Sequence, residues 1–240
     1  MSARKATTLI AGKFGSRHFG TKPYLADAVK RTGKHNPAVL YVGAASGDDP
    51  TFGSALGKLL TAAGAGRVLW PKLASRRQQS SQMRQALTEV DVVFVGGGDV
   101  EAGMDLLRGA DLLDDFHAAA DRGAVFAGMS AGSIMLGVRW IRWPNADAGD
   151  DEAQTYECMG IVPVALDTHG EGDAWGEARS YAAVRARELG KKARAYGVPS
   201  GGALVIDPRG RIEAHGVPAA VFAALPNRKA RLEETLEVPK

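Results

Sequence analysis

Five short apolar runs separated by stretches of helical periodicity limit what this chain can fold into. They are TTLIAG (7–12), AVLYVGAAS (38–46), RVLW (67–70), DVVFVGGG (91–98) and GAVFAGMS (123–130). The later runs are almost continuously apolar, as strands covered on both faces must be. Between them TKPYLADAVKRTG, PTFGSALGKLLTAAG, RRQQSSQMRQALTEV and GADLLDDFHAAADRG carry apolar residues at helical spacing and end near glycine or an acidic turn. This β-α order, with right-handed crossovers, predicts an α/β fold of three layers: a mostly parallel sheet with helices on both faces. After residue 130 the pattern loosens. RWIRWPNADAGDDEAQTYECM reads as a long irregular segment, followed by a strand in GIVPVALDTHG and a helix in GEARSYAAVRARELG. GGALVID and RIEAHG, separated by PRG, predict a late antiparallel hairpin at the sheet edge. No internal repeat or linker divides the 240 residues, so one domain over 1–240 is expected.

Composition narrows the function classes. With 45% hydrophobic and 24% charged residues and no apolar run of spanning length, a soluble protein without a membrane partner is expected. The opening MSARKATTLIAGKFG lacks the apolar stretch and cleavage site of a signal peptide, so a cytoplasmic location follows as the expectation. Cys158, the single cysteine, has no second thiol for a disulfide or a metal site and reads as apolar filler. Net charge is +3 and the pI near 9.0, with basic residues clustered in RARELGKKARAY and NRKARLEE. At helical spacing these are solvated faces, and no aromatic residues are interleaved for base stacking, so nucleic acid is not an expected partner.

In an open parallel sheet, ligands bind beyond the carboxyl ends of the strands. Two glycine-rich stretches fall there, VGGGDV (95–100) and AGMSAG (127–132). Adjacent glycines let the backbone approach a ligand and aim bare N–H groups at an oxyanion or phosphate. A dinucleotide site is not supported, because the third position of G-x-G-x-x-G falls on Glu101. A P-loop fails too, since GSALGKL is one residue short between its glycines and lacks Ser or Thr after Lys58. GMSAGSIML leaves two readings of Ser130: a nucleophile at a strand-to-helix elbow, or a small residue where strand and helix pack closely.

A serine nucleophile needs a base. Of five histidines, His117 lies in an amphipathic helix, His35 in a polar turn and His215 in the late hairpin, while His18 follows an early glycine loop that could line the crevice. His169 ends the apolar strand VPVALDTHG, the same kind of place as Ser130; its alternative reading is a hydrogen-bonded structural histidine.

VFVGGGD, GAVFAGMSAG, ALDTHG and GEAR occur in the order found in the peptidase E (aspartyl dipeptidase) and cyanophycinase family of serine hydrolases, which the chain resembles from about residue 38 to 207. The resemblance implies a three-layer fold similar to class I glutamine amidotransferases. It implies Ser130 as nucleophile, His169 as base, and oxyanion donors among the backbone N–H groups of Gly97, Gly98 and Ala131. Three departures stand out. Asp99 replaces the asparagine usual after the triple glycine. Counting forward from Ser130 puts the third triad member at Asn145, counting back from His169 puts it at Asp147, and Asp147 is favoured because a carboxylate stabilises the imidazolium better. The loop from His169 to GEAR is also shorter than in the peptidase E branch; there Arg179 matches the arginine that recognises an acidic side chain, with the exposed-helix reading as its alternative. Asp99, Glu177 and Arg179 are thus the substrate-binding expectations.

The leading expectation is a serine peptidase acting on short peptides, with preference for Asp before the scissile bond and no metal or cofactor required. Its competitors are a non-catalytic member of the fold that binds a small acidic ligand, and an esterase of the α/β-hydrolase type, for which only His215 would serve as base.

Overall fold

The structure is a computed structural model that describes residues 4–12, 20–75, 79–145, 147–149, 152–189, 193–224 and 230–239. In chain order the first half runs β1 (Thr7–Ile10), α1 (Lys22–Lys30), β2 (Ala38–Val42), α2 (Pro50–Ala62), β3 (Arg67–Leu69), α3 (Ser80–Glu89), β4 (Val92–Val95), α4 (Val100–Gly109), α5 (Leu113–Arg122) and β5 (Val125–Met129). The second half adds α6 (Ala131–Leu136), β6 (Arg139–Arg142), β7 (Gln154–Glu157), β8 (Leu166–Thr168), α7 (Gly176–Leu189), β9 (Arg194–Val198), β10 (Ala203–Ile206), β11 (Ile212–His215), β12 (Ala219–Ala224) and β13 (Ala230–Leu236).

The central sheet has seven strands in the order β11-β10-β1-β5-β4-β2-β3. β1, β5, β4, β2 and β3 are mutually parallel, and β10 and β11 form the expected antiparallel edge hairpin. Successive side chains of a strand face opposite ways. Leu40, Val42, Val93, Val95 and Phe126 pack with Met83, Leu87, Met104, Phe116 and Met135 from α3 to α6. Ile10, Val39, Tyr41, Phe94 and Ala127 pack with Leu25, Val29, Leu56 and Leu60 of α1 and α2. Both faces are therefore buried, which is why these strands read as continuous apolar runs rather than alternating ones.

Three sequence readings change. The segment read as irregular contains an antiparallel pair, β6 with β7, registered from Arg139↔Glu157 to Arg142↔Gln154. The basic stretches read as helical faces contribute strands: RARELGKKARAY crosses from the end of α7 into β9, and NRKARLEE leads into β13, with residues 190–192 and 225–229 outside the described set. β9 and β13 belong to a second sheet, β13-β12-β9-β8, parallel only between β8 and β9. Ala178, Tyr181 and Ala182 of α7 pack there with Ala165, Ala195 and Phe222. The sequence reading also passed over α4, whose N-cap is Asp99.

Loops at the carboxyl ends of β2 and β3 are tied together by Asp48. Its buried carboxylate accepts from Trp70 Nε1 (3.0 Å) and from the N–H groups of Leu73 (2.6 Å) and Ala74 (2.8 Å). Ala45, in the short turn that precedes it, accepts from Asp99 N–H at 2.8 Å, which seats the glycine run against this rim.

Candidate active site

Ser130 joins β5 to α6 with φ 52° and ψ −125°, a conformation that L-residues rarely adopt. Its N–H donates to the Ile10 carbonyl (2.8 Å), and its carbonyl accepts from Ser133 (2.8 Å) and Ile134 (3.2 Å), opening the helix. The flanking glycines have a packing cause. A Cβ on Gly132 would lie 2.2 Å from the Val95 carbonyl oxygen, and one on Gly128 would lie 2.6 Å from that of Gly132. Close packing thus explains both glycines, but it does not require a positive φ at the serine between them. Strain of this kind persists where the surrounding structure over-determines it, and it clusters at functional sites.

The glycine run lies alongside. The Cβ position of Gly97 is 3.2 Å from Ser130 Cβ, and that of Gly98 (φ 145°) would strike the Ala45 carbonyl oxygen at 2.0 Å. A side chain is crowded at Gly97 and excluded at Gly98, so bare backbone lines this edge of the serine. Among the described residues, no backbone carbonyl accepts from the N–H groups of Gly97, Gly98 or Ala131. Donors left open at a strand end beside a serine can serve a developing oxyanion.

The end of β1 is the shared anchor for the other half of the site. Ile10 holds Ser130; Ala11 N–H donates to the Gly202 carbonyl (3.0 Å), and Gly201 N–H to the Gly12 carbonyl (2.7 Å). The turn at 199–202 is thereby fixed against β1, and it carries Ser200. His169 follows β8 at φ 64°, donates its N–H to the Val198 carbonyl (3.3 Å), and sets Nδ1 3.2 Å from Ser200 Oγ. Half-burial lowers the His169 pKa, against an opposing pull from Glu171 and the Ala11 carbonyl, so the ring favours the neutral form that a base requires. Ser200 N–H in turn donates to Glu171 Oε1 at 2.6 Å. Partial burial pushes the Glu171 carboxyl up. Hydrogen bonds from the Ser200 and Glu171 backbones and the Ser200 side chain, with nearby His169, outweigh that and leave it below the usual range. The sequence reading passed over Ser200 and Glu171; the one available signal was a carboxylate two residues after the histidine in THGEGD.

The remaining expected residues are dispersed. Asp147 and Asn145 lie exposed on the loop between β6 and β7, where Asn145 Oδ1 accepts from Asp147 N–H at 3.1 Å. Asp99 caps α4, its side chain accepting from Ala102 N–H at 2.8 Å, a task that asparagine performs equally well. Glu177 is engaged by Trp140, whose Nε1 donates to Oε2 at 2.8 Å. Burial first, then the neighbouring charge of Asp167, raise its pKa to about 7. Arg179 is half-buried in α7 and forms no ion pair among the described residues. Residues two apart on a helix are turned by about 200°, so Arg179 does not share the side of α7 that meets Trp140. His117 bonds the Met159 carbonyl through Nε2 (2.8 Å), His215 sits 3.8 Å from Glu213, and His35 is exposed. His18 lies outside the described residues. Burial pushes the Cys158 thiol up to about 12, so it stays protonated. Among the described residues no three His, Cys, Asp or Glu side chains converge as a metal centre would need, and no helix is long and apolar enough to cross a membrane.

Comparison with known proteins gives a consistent picture. The sequence model of peptidase family S51 matches residues 10–212. Peptidase E of Shewanella denitrificans (strain OS217) is 31% identical over 91 residues, 38% of this chain and 38% of that protein. Peptidase E of Shewanella amazonensis (strain SB2B) is 34% identical over 86 residues, 36% of each. The chain thus spans less than two fifths of the length of these relatives. Among solved structures, a peptidase from an acI-B1 Actinobacterium superposes with a TM-score of 0.72 at 15% identity, covering 99% of this chain and 96% of that one. A candidate peptidase E from Listeria monocytogenes EGD-e gives 0.60 at 15% identity, over 89% of this chain and 99% of that one. At that identity the likeness speaks for the fold.

Proposed function

The chain belongs to peptidase family S51, and on that premise we propose that it hydrolyses short peptides with Ser130 as nucleophile and His169 as base. The observation that carries the reading is the Ser130 backbone: φ 52° at the end of a parallel strand, where packing accounts for the glycines on either side but not for the serine's conformation.

In this mechanism neutral His169 takes the Ser130 proton as Oγ attacks the peptide carbonyl. The oxyanion that forms is held by the open N–H groups of Gly97, Gly98 and Ala131. Collapse of the tetrahedral intermediate expels the amine, which receives its proton from His169, and water then releases the acyl group by the same sequence. Arg179 is the proposed determinant of an Asp preference before the scissile bond, since a guanidinium favours a carboxylate in a bidentate pair.

Labelling by a serine-directed fluorophosphonate tests the reading. Wild-type protein should label at Ser130, and Ser130→Ala should neither label nor hydrolyse a dipeptide library, with a loss of several orders of magnitude. Turnover of the best substrate by Ser130→Ala at the wild-type rate would remove the serine from the reaction.

A further inference from the structure

The contacts around His169 assign it a positioning partner other than the carboxylate expected from the sequence. We propose that Glu171 orients the His169 imidazole indirectly, through the hydroxyl of Ser200. The proposal rests on the nucleophile–base reading of Ser130 and His169.

Three observations meet on it. Ser200 Oγ lies 3.2 Å from His169 Nδ1, close enough to accept the Nδ1 proton and leave Nε2 unprotonated as the base. The Ser200 N–H donates to Glu171 Oε1 at 2.6 Å, which fixes the residue that carries the hydroxyl beside a carboxylate held below its usual range. The hydroxyl has one proton and two lone pairs. In the proposed arrangement its proton turns toward the Glu171 charge and a lone pair toward Nδ1, which makes Nδ1 the donor of that pair. The third observation is the backbone: His169 at φ 64° turns the chain sharply after β8, and the β8–β9 register pairs Thr168 with Val198, so the loops that follow both strands leave side by side. Glu171 and Ser200 sit on those two loops.

This arrangement divides the work that one carboxylate does in a direct triad. Ser200 fixes the tautomer, and Glu171 supplies the negative charge that favours the imidazolium once the Ser130 proton has moved. A hydrogen bond to the Ala11 carbonyl also favours the charged form of the ring. Glu171 is exposed, so water screens its charge and the coupling is weaker than for a buried acid. Asp147 remains the comparison, being exposed on the β6–β7 loop.

The test uses Glu171→Gln, Ser200→Ala, Ser200→Thr, Asp147→Asn and the double variant Glu171→Gln/Ser200→Ala, with two readouts. The first is kcat, KM and the pH profile of kcat/KM on the best dipeptide. Glu171→Gln and Ser200→Ala should each lower kcat by about ten- to a hundredfold at nearly constant KM, less than the ~10⁴ of a direct acid. The double variant should be little worse than either single one, because the two act as a unit. Ser200→Thr, which keeps the hydroxyl, should recover most of the rate. The acid limb should move to lower pH in Glu171→Gln, because removing a nearby negative charge disfavours the imidazolium. The second readout, NMR titration of the His169 ring, needs no substrate and should show the same downward shift. Wild-type kcat and an unmoved His169 titration in Glu171→Gln would overturn the proposal, as would a loss confined to Asp147→Asn. Failure of the underlying reading looks different: wild-type protein that fluorophosphonate does not label, or activity that survives Ser130→Ala.

Discussion

Glu177→Gln should make the protein more stable at pH 8 and leave it nearly unchanged at pH 5. Asp167, buried, and Glu177, partly buried, form an acidic pair beside the His169 strand. Asp167 is 3% exposed, accepts from Ala178 N–H at 3.3 Å, and is raised by burial to about 6. Glu177 is raised to about 7 by burial and then by the Asp167 charge, with Trp140 donating against the trend. A carboxyl whose folded pKa lies above its unfolded value keeps its proton in the native state when the unfolded chain has lost it. Its contribution is complete below pH 4.5 and lost as pH rises through about 7. From 4.5 to about 7 at 1.36 kcal/mol per unit, the ionised side chain costs roughly 3 kcal/mol at pH 8 and less than about 1 kcal/mol at pH 5. Glutamine keeps the oxygen that Trp140 needs and carries no charge, but its amide must also be desolvated. A gain of about 1–2 kcal/mol at pH 8 is therefore expected. For a chain of this length that corresponds to a Tm rise of about 3–6 °C, against at most ~2 °C at pH 5. Thermal unfolding of both proteins at the two pH values decides it. An equal shift at both, or a lower Tm at pH 8, would refute the buried-carboxylate argument.

Two further outcomes are expected. Ser130→Gly should be more stable than Ser130→Ala by about 1 kcal/mol in urea unfolding, since glycine relieves a strain of order 1–3 kcal/mol and gives back part of it in chain entropy; equal midpoints would show that the elbow is not strained. Arg179→Met should lower kcat/KM for Asp-containing dipeptides by about ten- to a hundredfold and for their Asn counterparts by less, from the roughly 1.5–3 kcal/mol of a charged hydrogen bond. Equal losses for both peptides would mean that Arg179 does not read the acid.

The parallel core was legible because strands buried on two faces leave an unambiguous trace. Val92–Val95 and Val125–Met129 can be little else, and the glycines that follow them mark the ends where backbones crowd. The second sheet was obscure for the opposite reason. β13, which begins Ala-Arg-Leu and turns acidic after it (ARLEETL), is mostly exposed, so neither an apolar run nor a buried alternating face announces it. β7 (QTYE) is similar. For the candidate site, Ser130 and His169 are each marked by a strand end in the sequence. The partners of His169 are set by the pairing of β8 with β9 and of the 199–202 turn with β1. Contacts across some thirty residues leave no local pattern, and counting along the chain pointed to Asp147 instead. Asp99 and Glu177 show the converse case, where a polar residue beside a motif also has a local task, a helix cap or a tryptophan contact, that the sequence does not announce.

The place of β1 in the central sheet bears on when the proposed site can form. Thr7–Ile10 pairs on one side with β5, which ends at the candidate nucleophile, and on the other with β10, near residue 200. A chain emerging from the ribosome makes the first strand early and the last of its neighbours some two hundred residues later. Until the 199–202 turn and β10 are made, Ala11 and Gly12 have nothing to fasten, and the proposed base has no fixed seat. Completion of the proposed site would therefore wait for residues 199–206, so a nascent chain that has not reached them would lack the seat of its proposed base.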